Sequence, residues 1–116
     1  MKEYLFSYGT LQKEKKQIEL FGRTLQGFAD TLRGYKIATI EIKDELFLSK
    51  GEDKFQKTLV GTNNNIDVIN GTVLELAPEE LLLTDKYEPS NYKRIKAKLG
   101  SGKKAWIYIL LQKMTD

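Results

Sequence analysis

Neither cysteine nor histidine occurs anywhere in the 116 residues. That double absence removes disulfides, a thiol nucleophile, the Ser-His dyad and the usual nitrogen and sulfur ligands of zinc and haem. If the chain is an enzyme, its proton transfers fall to Asp, Glu, Lys or Tyr, or to substrate and water. An all-oxygen cation site would need EF-hand spacing or a carboxylate cluster, and the sequence offers neither. No metal or cofactor is therefore expected. Long apolar runs are missing too: none approaches the ~20 residues that cross a bilayer. The opening MKEYLFSYG meets glycine and polar residues before any secretory apolar core develops. The expectation is a cytoplasmic protein with no membrane partner.

What is present is an ordinary globular balance, 41% hydrophobic and 30% charged, at a length that suits one domain over residues 1–116 and is too short for two. Nineteen basic and sixteen acidic side chains leave a net charge of +3. Lys13-Glu14-Lys15-Lys16 reads as the solvated face of a helix, and Lys93 to Lys98 alternates like an outer strand face. No aromatic-studded basic motif accompanies them, so nucleic acid is not the expected partner.

Residues 3–8 read as a strand ended by Gly9. Residues 14–22 read as a helix with Ile18, Leu20 and Phe21 inward. Strand character follows over 25–32 and 35–42. Residues 46–49 and 58–61 are expected as short strands around a polar loop, 50–57. After the Gly61–Asn65 turn comes a strand over 66–76, where Gly71 predicts a bulge or a close backbone approach. Pro78, Glu79 and Glu80 start a helix that carries Leu81, Leu82 and Leu83 and must stop before Pro89. Two final strands, 92–99 and 104–111, flank a Gly100–Lys103 hairpin signal. Strands outnumber helices, which fall singly between strand runs, and this argues for an α+β domain with a curled, mixed sheet.

Two stretches carry chemistry. In FSYGTLQ, Gly9 stops a strand that Thr10 and Leu11 could have prolonged. It either turns the chain through conformations closed to side chains or lets a ligand approach the backbone; YGTL alone would pass for a simple turn. In TDKYEPSNYKR, Glu88 falls at the negative end of a helix dipole, where a carboxylate is unfavourable by about 0.3–1 kcal/mol. Either it points into water or pairs with Lys86 or Arg94, or partial burial raises its pKa toward the range of a general acid/base. Asp85, one turn earlier, suits a structural role: binding backbone N–H groups or orienting Arg94. Tyr87, Tyr92 and Tyr108 have the character of core-edge aromatics with polar tips.

Taken in order, Tyr8-Gly9-Thr10-Leu11, Gly71 to Leu76, Thr84-Asp85-Lys86-Tyr87-Glu88, Tyr92-Lys93-Arg94 and Trp106-Ile107-Tyr108-Ile109 resemble the gamma-glutamylcyclotransferase family, including its AIG2-like and gamma-glutamylamine cyclotransferase branches. The chain departs from that pattern at Thr84, usually leucine, at Pro89, often glycine, and at residues 40–45, which lack a proline-containing loop.

The resemblance implies a small mixed β-barrel flanked by helices, with Glu88 catalytic. It implies substrate contacts at Tyr8, Gly9, Thr10 and Leu11, with Tyr92 and Tyr108 as further substrate-facing aromatics. The implied reaction is an acyl-transfer or lyase-type closure: the α-amine of a gamma-glutamyl amine or peptide attacks its own γ-carbonyl, releasing 5-oxoproline and an amine. Such chemistry suits a chain without His, Cys, metal or cofactor. The expected partner is that small molecule, met by a monomer or homodimer. The competing expectation is a non-catalytic module binding a small carboxylated metabolite in the same cavity.

Overall fold

The computed structural model describes residues 2–110. The chain runs β1 (Glu3–Ser7), a 3-10 turn (Thr10–Gln12), α1 (Glu14–Phe21), β2 (Gly27–Arg33), β3 (Tyr35–Glu41), α2 (Glu45–Leu48) and β4 (Phe55–Gly61). It continues as β5 (Val68–Leu76), α3 (Pro78–Tyr87), β6 (Tyr92–Lys98) and β7 (Lys104–Leu110). Leu111, the expected end of the last strand, lies outside the described residues.

Five strands form one mixed sheet in the order β2-β5-β1-β7-β6, while β3 and β4 pair as a separate antiparallel hairpin. The α+β architecture is the expected one, but the two sheets do not close into a barrel. The reason lies at Gly34, the single residue between β2 and β3. Its φ of 84° is a left-handed value that glycine adopts without steric cost, and it turns β3 off the large sheet. The corner is fixed at both backbone groups, since the Gly34 N–H donates to Asp67 O and its carbonyl accepts from Thr62 N–H, each at 2.8 Å.

β1 is the innermost strand, antiparallel to β5 and parallel to β7. An inner strand covered on both faces is apolar throughout rather than alternating. Phe6 points to one side, against Leu59 of the small hairpin and Val73 and Ile107 of the sheet. Leu5 points to the other, where Leu81 of α3 and Leu20 and Phe21 of α1 complete the layer. Each such fully buried side chain contributes about 1.5–3 kcal/mol relative to exposure.

Several local expectations change. Leu46–Leu48 belong to a short helix rather than a strand, because Asp44 Oδ1 accepts the amides of Leu46 (3.0 Å) and Phe47 (3.3 Å) and nucleates a turn. In α1 the buried residue is Gln17, and Ile18 is 53% exposed. Gln17 can be buried because both ends of its amide are satisfied: Nε2 donates to Leu11 O and Oε1 accepts from Leu25 N–H, each at 2.8 Å. Lys16 is not a solvated residue either, since it pairs with Glu52 at 2.5 Å and Glu19 at 3.0 Å.

Gly71 makes the close approach its position predicts. A Cβ there would meet Phe6 Cζ at 2.5 Å and Ser7 O at 2.7 Å, so the Phe6 ring lies across bare backbone. Gly71→Ala should therefore destabilise the protein by about 1–3 kcal/mol, the usual cost of overpacking. Gly9→Ala, where a Cβ meets no atom within 4 Å, should change stability by less than about 0.5 kcal/mol. Urea unfolding of both variants checks the contrast; equal losses would contradict it.

Candidate active site

β1 delivers the chain to Tyr8 and Gly9 at the rim of the sheet. Gly9 has φ −135° and ψ −140°, so the left-handed turn that only glycine tolerates is not what it supplies. It supplies empty space in front of the backbone. The turn beyond it is closed by Gln12 N–H to Gly9 O at 3.1 Å and Lys13 N–H to Thr10 O at 3.0 Å. Among the described residues the amides of Gly9, Thr10 and Leu11 donate to no protein group. Gln17 holds the Leu11 carbonyl from behind.

This loop borders a cavity of about 490 Å³. Every residue expected at the site lines it: Tyr8, Gly9, Thr10 and Leu11 from the loop, Glu88 from the end of α3, Tyr92 from β6 and Tyr108 from β7. Phe47, Asp53, Phe55 and Gln56 also line it. Thr10 Oγ1 and Tyr87 Oη lie 3.5 Å apart, a contact that links the loop to the last turn of α3.

Glu88 caps that helix with extended backbone, φ −66° and ψ 152°, as the following Pro89 requires. Its N–H still donates to Thr84 O at 3.0 Å. Burial, opposed by the Lys50 ammonium and reinforced by Asp85 and Glu52, pushes the Glu88 carboxyl from 4.5 to about 7. Among the described residues it has no hydrogen-bond or ion-pair partner, so neither Lys86 nor Arg94 claims it.

Asp85 has the opposite surroundings. It accepts both Nε and Nη2 of Arg94 at 2.9 Å and the Tyr108 hydroxyl at 2.5 Å, and Arg94 in turn stacks 4.2 Å from the Trp106 ring centroid. The expected orienting role toward Arg94 is present; among the described residues Asp85 binds no backbone N–H. Burial and then the Asp85 contact push the Tyr108 phenol well above its ordinary range, which keeps it a neutral donor. Tyr8 is raised first by burial and then by the charges of Tyr92 and Glu88.

Three contributors escape motif reading. Lys50 Nζ donates to the last-turn carbonyls of α3, Lys86 O at 2.9 Å and Tyr87 O at 3.2 Å. Together with Lys16 it sits over the Tyr87 ring, the two ammonium groups at 5.6 and 5.5 Å from its centroid. Asp44 Oδ2 accepts the Ser90 amide at 2.9 Å, just past Glu88. Gln17 is the third. Only Asp44 had a visible signal, an N-cap residue followed by an acidic first turn.

Because the folded pKa of Glu88 exceeds the unfolded one, its protonated form favours folding. That contribution is complete below about pH 4.5 and is lost as pH rises through about 7. Relative to Glu88→Gln, the wild type should lose stability across this interval, by at most about 3 kcal/mol and less where solvent reaches the carboxyl through the cavity. Urea unfolding of both proteins at a series of pH values measures the difference; a constant offset would mean a hydrated carboxyl.

The description "gamma-glutamyl cyclotransferase, AIG2-like" matches residues 5–116. Two Arabidopsis thaliana proteins known from solution structures superimpose with TM-scores of 0.69 and 0.75 at 19% and 18% identity. These matches cover 96% and 98% of this chain and 63% and 72% of theirs. A gamma-glutamyl cyclotransferase superimposes with a TM-score of 0.72 at 15% identity, over 95% of this chain and 67% of that one. The chain thus spans about two thirds of the length of these structures, and at such identities the likeness is one of fold. None of the curated proteins compared with it matches. With the match running from β1 to the end of the chain, this protein belongs to the gamma-glutamyl cyclotransferase, AIG2-like family.

Proposed function

We propose that the cavity closes gamma-glutamyl amines or peptides to 5-oxoproline, releasing the amine. The observation that carries this reading is a partnerless, half-buried carboxyl, Glu88, opening on the same cavity as three undonated amides at Gly9, Thr10 and Leu11. The reaction is already unimolecular, so the protein must hold a near-attack geometry and manage protons.

Ionised Glu88 takes a proton from the substrate α-ammonium. The freed nitrogen attacks the γ-carbon, forming the ring C–N bond and placing negative charge on the carbonyl oxygen. Collapse of that intermediate breaks the bond to the leaving nitrogen, which receives the proton back from Glu88; the ring nitrogen's surplus proton then passes to the carboxylate so regenerated and on to water or the released amine. The loop amides suit the substrate carboxylate or the developing oxyanion, and they need no cationic side chain to do so. Tyr8, Tyr92 and Tyr108 form the wall around the glutamyl group. Since Tyr108 spends its proton on Asp85, its contribution to substrate is its ring and its oxygen lone pairs.

Incubation with a panel of gamma-glutamyl amino acids and gamma-glutamyl alkylamines, followed by an assay for 5-oxoproline, tests the reading. Glu88→Gln should lower kcat by at least about 10²-fold, the usual scale for deleting a general acid/base; unchanged turnover would falsify the role of Glu88. Because the ionised form starts the reaction, kcat/KM should rise with pH through about 7, and a flat profile from pH 5 to pH 8 (roughly one unit or more either side of that midpoint) would count against it. Ligand-induced thermal stabilisation without any 5-oxoproline would instead favour a binding module.

A further inference from the structure

The cavity has two chemically opposite ends. At the loop, the carbonyls of Gly9, Thr10 and Leu11 already accept from Gln12, Lys13 and Gln17, so what the backbone still offers there is N–H. At the end of α3 the groups on offer are oxygens. The Glu88 carboxyl is one. The Tyr108 hydroxyl is the other, because a phenol has a single proton and Tyr108 donates it to Asp85 Oδ1 at 2.5 Å. Lone pairs are what this oxygen has left for an occupant of the cavity.

That placement of the proton is braced from behind. Asp85 also accepts Arg94 Nε and Nη2, each at 2.9 Å, and the guanidinium lies 4.2 Å from the Trp106 ring centroid. Trp106 Nε1 in turn donates to Glu3 Oε1 at 2.8 Å. Asp85 and Arg94 do not line the main cavity; they border a second one, of about 320 Å³. Glu88 and Tyr108 border both. Asp85 and Glu88 stand three residues apart at the end of α3, a spacing that sets side chains next to each other on a helix. The phenol oxygen held by Asp85 is thereby brought to the same part of the cavity as the Glu88 carboxyl.

An ammonium group brings three N–H donors, and a donor left unbonded away from water is costly. Glu88 serves one of them. We propose that the Tyr108 oxygen is a second acceptor for the α-ammonium of a gamma-glutamyl substrate, and that Asp85, braced by Arg94, is the positioning residue that keeps the phenol proton turned away from it. This rests on the cyclotransferase reading. It gives the substrate a direction in the cavity, with its ammonium toward α3 and its oxygens toward the loop amides.

The test is calorimetric binding of L-glutamate and of glutarate, which differ only in the α-ammonium, to wild type, Tyr108→Phe, Asp85→Ala and the double variant. Wild type should prefer L-glutamate. Tyr108→Phe keeps the ring and should cut that preference about 10-fold, the scale of a hydrogen bond to a charged group, while glutarate affinity is unchanged. Asp85→Ala should lose much of the same preference, and adding it to Tyr108→Phe should cost nothing further, because it acts through that oxygen. Should Asp85→Ala not fold, Asp85→Asn, which replaces one acceptor oxygen by a donor, takes its place with the same expectation. No measurable glutamate binding to wild type, equal affinities for the two ligands, or a Tyr108→Phe protein in which both weaken together overturns the proposal. Additive losses in the double variant overturn the part given to Asp85. A wild type that shows the preference but forms no 5-oxoproline from the panel fails the cyclotransferase reading alone, and the ammonium site stands.

Discussion

Keeping one carboxyl unpartnered in a half-buried place is the constraint on which the rest of this site depends. Two acids stand one turn apart at the end of α3 and meet opposite fates. Asp85 is saturated by Arg94 and Tyr108, so its bonds are structural. Glu88 is turned off the helix by Pro89 and left with burial as its dominant influence. Environments that separate two neighbouring carboxyls in this way are how a protein obtains one group that exchanges protons near neutrality. Lys50 moderates the effect from beside the last turn of α3, and by binding the terminal carbonyls of that helix it also offsets the negative end of the helix dipole.

The fold serves that constraint by placing β1 at the centre of the sheet. With β5 on one side and β7 on the other, the exit of β1 is carried to the end of α3, and the two stretches meet although 77 residues separate Thr10 from Tyr87. Three side chains then secure the irregular segments around the cavity: Gln17 behind the loop, Asp44 at Ser90, and Lys50 at the end of the helix. All three bind backbone groups. Backbone partners define a loop's path more directly than pairs of mobile side chains, which suits a site assembled largely from loops and element ends.

Local patterns in the sequence were enough to place most strands, the Pro-bounded helix and both site stretches. Glu88 could be singled out because its oddity is local, a carboxylate at the wrong end of a helix beside a proline. Gly71 was legible for the same reason, a lone glycine inside a strand. Gln17 was not, since its burial depends on Leu11 O and Leu25 N–H converging on one amide, and hydropathy prefers Ile18 for the inward position. Barrel closure failed for a comparable reason: whether β3 continues the large sheet is decided by one backbone angle at Gly34.

The most direct measurement is a residue-specific carbon-13 NMR titration of the Glu88 side-chain carboxyl in the intact protein, assigned by its disappearance in Glu88→Gln. A midpoint near 7 is expected, well above the ordinary 4.5 of a glutamate. A midpoint at or below that ordinary value would mean a hydrated or ion-paired carboxyl, and the proton-transfer role assigned to it would not stand.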